Sequence, residues 1–418
     1  MIIEFSIGNY RSIKEIQTLN MSAANIVSKN KEIDETNLIK ISDKLSLLKS
    51  KAIYGANASG KSNLIRGLVS FIAIVSDSVR DDKILEERID PFQLSTETVN
   101  NPSYFQLSFL LKGVYYRYGF EATVEEIKSE WLIGSPGKKE VPFFTREVSE
   151  IKINERQFKE GSKLLDLFKS GNNDVARNNS LFLTTIKSFY NVGIAKEIAE
   201  FIKNIIVISG LNDNTLYKNA ERYLENNARK EKITDFLKIA DTGIISLDKF
   251  VLEEHDEREI IKQSYVFTGH QTYNAASEAT TTTILSLLND ESEGTRKIFE
   301  LSPLIIESLE EKRTLVIDEF DARLHPLLTK KLVQLFNSES NKGTQFVFAT
   351  HDTNLLDAQL LRRDQICFAE KDKYGASHFY TLVDFKGIRN DASFEKDYIA
   401  GRYGAIPFIG DFSTLIGE

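Results

Sequence analysis

The sequence YGANASGKSN runs from Tyr54 to Asn63. Within it, GANASGKS fits the phosphate-binding pattern G-x-x-x-x-G-K-[ST]. The pattern follows a short apolar strand that ends at Tyr54 and precedes a segment whose apolar residues have helical spacing from Leu64 onward. Small side chains let backbone N–H groups surround a phosphate, and the N-terminus of a helix adds partial positive charge. The stretch therefore predicts a phosphate-binding loop.

We predict that this loop binds a nucleotide together with Mg²⁺. Lys61 would neutralise the β- and γ-phosphates, and the hydroxyl of Ser62 would be a ligand of the Mg²⁺ ion. The other residues of the loop that we expect to bind the nucleotide are Gly55, Asn57, Ser59, Gly60 and Asn63.

A second motif, LVIDEF, runs from Leu315 to Phe320. Its apolar residues predict a buried strand that brings Asp318 to its C-terminal end, where ligands bind in open α/β sheets. Asp318 would hold Mg²⁺ through water, and Glu319 would polarise the attacking water. A strand that ends in two carboxylates is a weak signal alone, but beside a phosphate-binding loop it indicates nucleotide hydrolysis.

Two further motifs support this interpretation through their order along the chain. VFATHDTNLL places His351 after a strand, where it would contact the γ-phosphate, although a lone histidine is more often a surface or core residue. In ESEGTRKIF, Ser292 and Gly294 precede a helix and would form an anion site, although an ordinary helix cap has the same residues. Along the chain the motifs follow the order phosphate loop, insertion, Ser-x-Gly, Asp-Glu and His. This order favours the functional interpretation of both motifs.

Composition limits the class of protein. The chain has 418 residues, a formal net charge of -8 and a single cysteine, Cys367. The length favours more than one domain, the acidic balance argues against a general nucleic-acid coat, and one cysteine fits a reducing compartment. The longest apolar run, Leu64 to Val75, is too short to span a bilayer and contains Arg66. Because the N-terminus lacks the pattern of a signal peptide, we expect a cytoplasmic protein without membrane contact.

The pattern of strands and helices predicts one nucleotide-binding core with an insertion. Strands that alternate with helices after Thr283 predict a parallel α/β sheet, with one helix at NLLDAQLLRR, residues 354–363. A hairpin is predicted with its turn at Lys112 and Gly113, and single helices are predicted over residues 186–208 and 219–240. The predicted divisions are residues 1–124 for the first half of the core, 125–270 for a largely helical insertion and 271–418 for the second half.

The motifs resemble those of ABC-type ATPases of the SMC-like and OLD-like branch. NASGKSNL, ESEGTR, IDEFDARLHP, THDTNLL, RRDQICFAEK and YIAGRYGAIP look like the bacterial defence ATPases often labelled AAA-type, which include ATPase subunits of AbiL-type and PARIS-type anti-phage systems. The resemblance covers about residues 1–120 and 280–410. It implies an α/β ATPase head, with a P-loop parallel sheet and an antiparallel β lobe, that binds ATP and Mg²⁺.

The resemblance also implies a homodimer. In such proteins two heads hold two ATP molecules between them, and the signature of one subunit binds the γ-phosphate that the other subunit holds. That role would fall on Ser292, Glu293 and Gly294, while Asp321 would cross the dimer interface.

Two early residues and one loop are assigned only by this resemblance. Asn9 and Arg11, in GNYRS, resemble a loop that contacts nucleotide in SMC-like heads. The residue of the glutamine loop stays open between Gln93 and Glu130.

The first functional hypothesis is an ATP-hydrolysing sensor or scaffold of an anti-phage system. It would form an ATP-bound homodimer or larger homo-oligomer and control a separately encoded effector, such as a Toprim-type nuclease or toxin. The alternative is a DNA-repair or recombination ATPase of the SMC- or RecF-like type, for which GKKE and NARKEK leave a nucleic-acid contact open. A transporter subunit is disfavoured by the SEGT signature and the long insertion.

Two segments are candidates for contact with a partner. The insertion, about residues 125–270, has no predicted role at the nucleotide. The closing segment YIAGRYGAIPFIGDF, residues 398–412, has glycines and aromatic residues that suit an interface loop, but it fits a tail packed on the core equally well.

Overall fold

The computed structural model describes residues 1–137, 139–169, 176–211, 213–255, 260–388, 393–407 and 410. In chain order the strands are β1 (Ile2–Gly8), β2 (Gln17–Asn20), β3 (Leu38–Lys40), β4 (Ser46–Leu48), β5 (Ser50–Tyr54), β6 (Ser103–Leu111), β7 (Val114–Ala122), β8 (Ile127–Ser135), β9 (Val141–Glu147), β10 (Glu150–Ile153), β11 (Ile206–Ser209), β12 (Ile244–His255), β13 (Ile260–Tyr273), β14 (Ala279–Ser286), β15 (Thr314–Asp318), β16 (Gln345–Ala349), β17 (Ile366–Lys371) and β18 (Ser377–Thr381).

The helices are α1 (Ile33–Thr36), α2 (Lys61–Asp77), α3 (Ile84–Arg88), α4 (Lys159–Lys169), α5 (Phe182–Phe189), α6 (Ile194–Lys203), α7 (Asp213–Tyr223), α8 (Asn227–Ile239), α9 (Glu293–Glu311), α10 (Pro326–Asn337) and α11 (Phe394–Ile399). No helix in these described ranges combines the length and apolar composition that a bilayer-spanning helix needs.

A six-stranded sheet forms the centre of the core. Its order is β11-β15-β16-β5-β17-β18, and all neighbours are parallel except β17 and β18. β5 and β16 are buried along their whole length, as expected for central strands covered by helices on both faces. Helix α2 packs on one face, and α9 and α10 pack on the other.

A seven-stranded antiparallel sheet forms the second lobe, with the order β10-β9-β8-β7-β6-β1-β2. It packs on the opposite side of α2 through aromatic rings, among which Phe71 of α2 stacks on Phe120 of β7 with centroids 5.7 Å apart. The predicted hairpin joins β6 to β7, and its turn residues Lys112 and Gly113 have φ of 51° and 80°. The predicted α/β fold, a parallel sheet behind the phosphate-binding loop with an antiparallel β lobe, is confirmed.

The segment predicted as a largely helical insertion is different in the structure. The predicted boundary after residue 124 falls between β7 and β8, which are hydrogen-bonded neighbours in one sheet. β8, β9 and β10 extend the antiparallel lobe, and β11 extends the parallel sheet. Long-range strand pairing, which sequence periodicity does not reveal, decides both cases.

The predicted single helix over residues 186–208 is wrong at its centre and at its end. It divides into α5 and α6 before Gly193, which has φ of 125°, and its β-branched end forms β11 against β15. The predicted helix over 219–240 is likewise two helices, because Asn226 caps the N-terminus of α8 and accepts a hydrogen bond from the Arg229 N–H.

The helix predicted at residues 354–363 is absent from the structure, which has short 3₁₀ turns at Thr353–Leu355 and Arg363–Gln365 there. The carboxylates of Asp352 and Asp357 accept hydrogen bonds from backbone N–H groups two residues on, a local bond that competes with a helix.

The described part of the closing segment packs on the core. Tyr398 and Tyr403 are buried, and the Tyr398 ring stacks on Phe368 of β17 with centroids 5.4 Å apart. These aromatic residues therefore serve packing. Residues 408, 409, 411 and 412 of the predicted partner segment lie outside the described residues.

Candidate nucleotide-binding site

The predicted site residues follow three neighbouring parallel strands. β5 leads into the phosphate-binding loop, β15 ends at Asp318, and β16, which lies between them, ends two residues before His351. Because parallel strands end at the same edge of a sheet, the loop, the carboxylates and the histidine meet there. The sequence motifs are thus brought together by strand order.

Close backbone approach explains the glycines of the loop. Gly60 has φ of 110° at the start of α2, and a Cβ there would lie 2.2 Å from Ser377 Oγ. A Cβ at Gly55 would lie 2.3 Å from the Ala369 carbonyl oxygen. Both distances are far below a van der Waals contact, so a side chain at either position would displace β17 or β18.

Lys61 is almost fully buried beneath the loop. Its Nζ donates hydrogen bonds to the carbonyl oxygens of Gly55 at 2.7 Å and Ala56 at 3.2 Å. Burial lowers the pKa of the ammonium group, and the carboxylates of Asp318 and Glu319 oppose that shift. The lysine therefore lies within electrostatic reach of both carboxylates, as a phosphate-binding lysine requires.

Asp318 provides the observation that fits a metal ion. Its Oδ1 is buried and has no hydrogen-bond partner among the described residues, and such an atom is costly to leave unsatisfied. Ser62 follows Lys61 in the first turn of α2, directly after the loop. A carboxylate and a hydroxyl are oxygen ligands of the kind that Mg²⁺ prefers, so the predicted pair fits Mg²⁺.

Glu319 has a left-handed backbone conformation, with φ of 54°. Gly210, directly after β11, donates its N–H to the Asp318 carbonyl oxygen at 2.6 Å. A Cβ at Gly210 would lie 2.1 Å from the Glu319 carbonyl oxygen. Sequence reasoning missed Gly210, because the insertion that contains it was predicted to be largely helical. The signal that could have revealed a strand here is the β-branched run that ends in Ser-Gly.

His351 and Asp321 contact each other within one chain. The His351 N–H donates to the Asp321 carboxylate at 3.3 and 3.4 Å. Desolvation of the His351 ring and the nearby Lys61 ammonium lower the pKa of the imidazole, against the opposing effect of the carboxylates. The lowered pKa favours the neutral form of the ring, which can accept a hydrogen bond. That Asp321 crosses a dimer interface remains a prediction.

Ser292 is the N-cap of α9, and its exposed hydroxyl accepts a hydrogen bond from the Thr295 N–H at 3.1 Å. Glu293 forms an ion pair with Arg323 at 3.5 Å, and a Cβ at Gly294 would lie 3.1 Å from the Arg323 carbonyl oxygen. The signature therefore packs against the loop that follows Asp318 and Glu319. Its action on a second subunit is not seen in a single chain and stays a prediction.

Asn9 does not support the predicted nucleotide contact. Its Nδ2 donates to the carbonyl oxygens of Thr98 and Asn101 at 2.8 Å each, and its Oδ1 accepts from the Phe92 N–H at 3.0 Å. Both amide hydrogens are thus used to fix the loop before β6. The side chain therefore has a structural task, and its contact with nucleotide remains a prediction.

Arg11 and Asn63 border the loop. Arg11 forms an ion pair with Asp90 at 3.3 Å and is partly exposed, so its nucleotide contact remains a prediction. Asn63 donates its Nδ2 to Ser12 Oγ at 2.7 Å, which joins α2 to the turn after β1. Asn57 is exposed, whereas the Ser59 Oγ is buried and has no hydrogen-bond partner among the described residues.

Glu130 is removed as a candidate for the glutamine loop. Its side chain is fully buried in β8 and accepts hydrogen bonds from the Tyr118 hydroxyl and from the N–H groups of Phe182 and Leu183. It caps the N-terminus of α5. Gln93 is exposed and stays a prediction.

Comparison with known proteins identifies a family. A family model described as "AAA domain, putative AbiEii toxin, Type IV TA system" matches residues 52–357, which is more than half of the chain. The match begins in β5 and ends after His351, so it contains the loop, the signature, the Asp-Glu strand and the histidine. No curated protein shows significant similarity to the chain.

Similar solved structures include SMC heads. An SMC head bound to the C-terminal winged-helix domain of ScpA has 15% identity and a TM-score of 0.40, covering 91% of this chain and 97% of that one. The SMC head domain from Thermotoga maritima has 12% identity and a TM-score of 0.42, covering 91% and 98%. An SMC head with an extended coiled coil, bound to the C-terminal domain of ScpA from Pyrococcus furiosus, has 14% identity and a TM-score of 0.38, covering 96% and 98%.

Proposed function

The chain belongs to the family of AAA domains described as putative AbiEii toxins of type IV toxin–antitoxin systems, and we propose that it is an ABC-type ATPase that binds ATP with Mg²⁺ and hydrolyses it. The observation that carries the proposal is the meeting of Lys61, Asp318, Glu319 and His351 at one edge of the parallel sheet. The buried Asp318 Oδ1, which has no hydrogen-bond partner in the part of the chain that the structure describes, supports it.

Each residue has a distinct task in the proposed reaction. Lys61 leaves the carbonyl oxygens of its own loop and pairs with the β- and γ-phosphates. Ser62 and Asp318 hold Mg²⁺, which when bound neutralises phosphate charge. Glu319 orients and polarises the attacking water, and the neutral His351 ring accepts a hydrogen bond near the γ-phosphate.

Two copies of the chain complete the site in this proposal. Ser292 and Gly294 of one copy bind the γ-phosphate held by the other, and Asp321 crosses the interface. What supports this is the exposed N-terminus of α9, whose N–H groups and hydroxyl suit an anion.

The cellular role that we propose is that of a sensor or scaffold in bacterial anti-phage defence. The family description names a toxin and a toxin–antitoxin system, which suggests a toxic partner. The effector would be a separate chain, such as a Toprim-type nuclease or a toxin. ATP binding and hydrolysis would then control its release or activity.

Substitution of Glu319 tests the proposed hydrolysis. We expect Glu319→Gln to bind ATP normally and to hydrolyse it at least ~100-fold more slowly, because the water loses its base. Lys61→Ala should weaken ATP binding itself. The matched control is Glu339→Gln, an exposed glutamate beyond the C-terminal end of α10, which should keep the wild-type rate. A Glu319→Gln protein with wild-type turnover would remove this residue from the mechanism.

A further inference from the structure

The sheet of β12, β13 and β14 has two edges with different chemistry. The strand order makes β12 and β14 the edges. One face packs on the core through Leu247 and Val266, which are buried. On β14, by contrast, all residues from Ala279 to Ile284 are exposed, so no described element covers this strand.

Hydrogen bonds show which residues of β14 turn their backbone outward. The Leu287 N–H donates to the Val266 carbonyl oxygen, and alternate residues of an antiparallel strand bond to the same neighbour. Thr283, which is opposite His270, therefore bonds to β13, while Thr282 and Ile284 direct their N–H and C=O groups away from it.

The outward backbone groups of Ser286 are already used. Its N–H donates to Asp290 Oδ2 at 2.7 Å, and its carbonyl oxygen accepts from the Asp290 N–H at 2.9 Å. Asp290 thus ends the open part of the edge. What remains open is a short stretch centred on Thr283.

β14 has less of the protection that edge strands normally have: its pairing with β13 shifts register between Ala279 and Thr282, whereas Thr282 to Ser286 pair regularly. Natural edge strands carry charges, prolines or bulges that prevent pairing with another strand. β12 follows this rule, with Asp248 and Lys249 in ion pairs with Lys230 and Glu225. β14, with the sequence ATTTTILS, contains no charged residue and no proline, and its β-branched residues favour a strand.

We propose that β14 pairs antiparallel with β14 of a second copy, about a two-fold axis through Thr283. Thr282 of each copy then bonds to Ile284 of the other, because these two outward residues lie on either side of Thr283. The two Thr283 residues face each other as a non-hydrogen-bonded pair, with Cα atoms about 4.5 Å apart.

The pairing is self-complementary, which favours a second copy over a foreign strand. A two-fold contact places the same residues on both sides, and like charges directly opposite each other would be destabilising. β14 contains no charged residue, so pairing with a second β14 brings no like charges together. β14 is not part of the phosphate-binding loop, although Thr268 of the same sheet donates a hydrogen bond to Glu291, the residue before the signature. Together with the proposed ATP-bound dimer, this pairing gives each copy two self-complementary surfaces, which build a ring or chain of dimers.

Sedimentation of the full chain without nucleotide tests the proposal. We expect a dimer at micromolar concentrations and an at least about tenfold higher dissociation constant for Ile284→Lys, because a lysine on the edge opposes pairing. The matched control is Ile245→Lys, at a partly exposed residue of β12, which should dimerise like the wild type. A monomeric wild-type protein at tens of micromolar, or an Ile284→Lys protein that dimerises normally, would overturn the proposal.

Cross-linking tests the register. Thr283→Cys should form a disulfide-linked dimer on mild oxidation without ATP, since the Cα distance suits a disulfide. Val251→Cys, an exposed position on the other edge, is the control that should stay monomeric, and the native Cys367 is buried. Equal cross-linking of the two variants, or cross-linking of Thr283→Cys only with ATP, contradicts the proposed pairing.

Discussion

At the scale of single residues, the position of Glu319 depends on a glycine that touches no substrate. The left-handed backbone at Glu319 is uncommon for a residue with a side chain, so the surroundings must hold it there. Gly210 does this by donating its N–H to Asp318 and by leaving room for the Glu319 carbonyl oxygen. We regard Gly210 as a positioning residue.

Replacement of Gly210 by alanine should separate catalysis from binding. An added Cβ would lie 2.1 Å from the Glu319 carbonyl oxygen and would force that peptide to move. We expect Gly210→Ala to lower kcat at least about tenfold with little change in ATP affinity, since the misplaced group acts in the reaction. The control is Gly137→Ala, where the added Cβ meets nothing within 4 Å. Unchanged kcat, or a loss of ATP affinity alone, would refute the positioning role.

The residues that sequence analysis found are those with a local signal. The phosphate-binding loop and the Asp-Glu pair are defined within a few neighbouring residues, so their pattern is readable. Gly210 has no such pattern, because its role depends on strand β15, which lies more than a hundred residues further along the chain. Ser209, the residue before Gly210, is paired with Asp318 of that strand. For Asn9 the motif is local, but its amide bonds to a distant loop, which the motif does not reveal.

At the scale of elements, α5 is joined to the antiparallel lobe by one buried carboxylate. Glu130 accepts hydrogen bonds from the first N–H groups of α5, and burial raises the pKa of its carboxyl group, against the effect of Arg146. The Arg146 guanidinium lies 3.8 Å from Glu130 and donates to the carbonyl oxygens of Val148, Ser180 and Arg177. The pair therefore fixes where α5 begins.

Removal of Glu130 should destabilise the protein much more than removal of an exposed glutamate. Glu130→Ala leaves a buried arginine without its carboxylate, which typically costs about 3–5 kcal/mol. Glu126→Ala, which breaks a partly exposed ion pair with Lys128, should cost less than about 1 kcal/mol. Thermal unfolding of both variants checks this. Equal midpoints for the two variants would show that the buried pair does not stabilise the lobe.

Elements were predicted well where their pattern is local and poorly where pairing is remote. The β6–β7 hairpin was readable because Gly113 suits a turn with positive φ, and in the structure Lys112 beside it also has positive φ. β11 was read as helix, because its apolar residues continue the spacing of α6 and only the contact with β15 makes them a strand. Strands β8 to β10 were assigned to an insertion for the same reason.

At the scale of the whole molecule, α2 connects the two lobes to the site. It begins at the phosphate-binding loop, packs on the parallel sheet with one side and supports the antiparallel lobe with the other. Movement of the loop on ATP binding would therefore reach both lobes. We propose that one chain holds only half of each site and that a second copy supplies the signature.

Mixing two inactive variants tests this claim most directly. Lys61→Ala destroys the phosphate-binding loop and Ser292→Arg blocks the signature, so each variant alone should be inactive while unfolding like the wild type. In a mixture, the intact loop of one variant meets the intact signature of the other. If equal amounts of the two variants pair at random, about half of the dimers contain one copy of each variant, and each such dimer has one intact site of two. The expected ATPase activity is therefore up to about a quarter of the wild-type value. A mixture no more active than the separate variants would contradict the account.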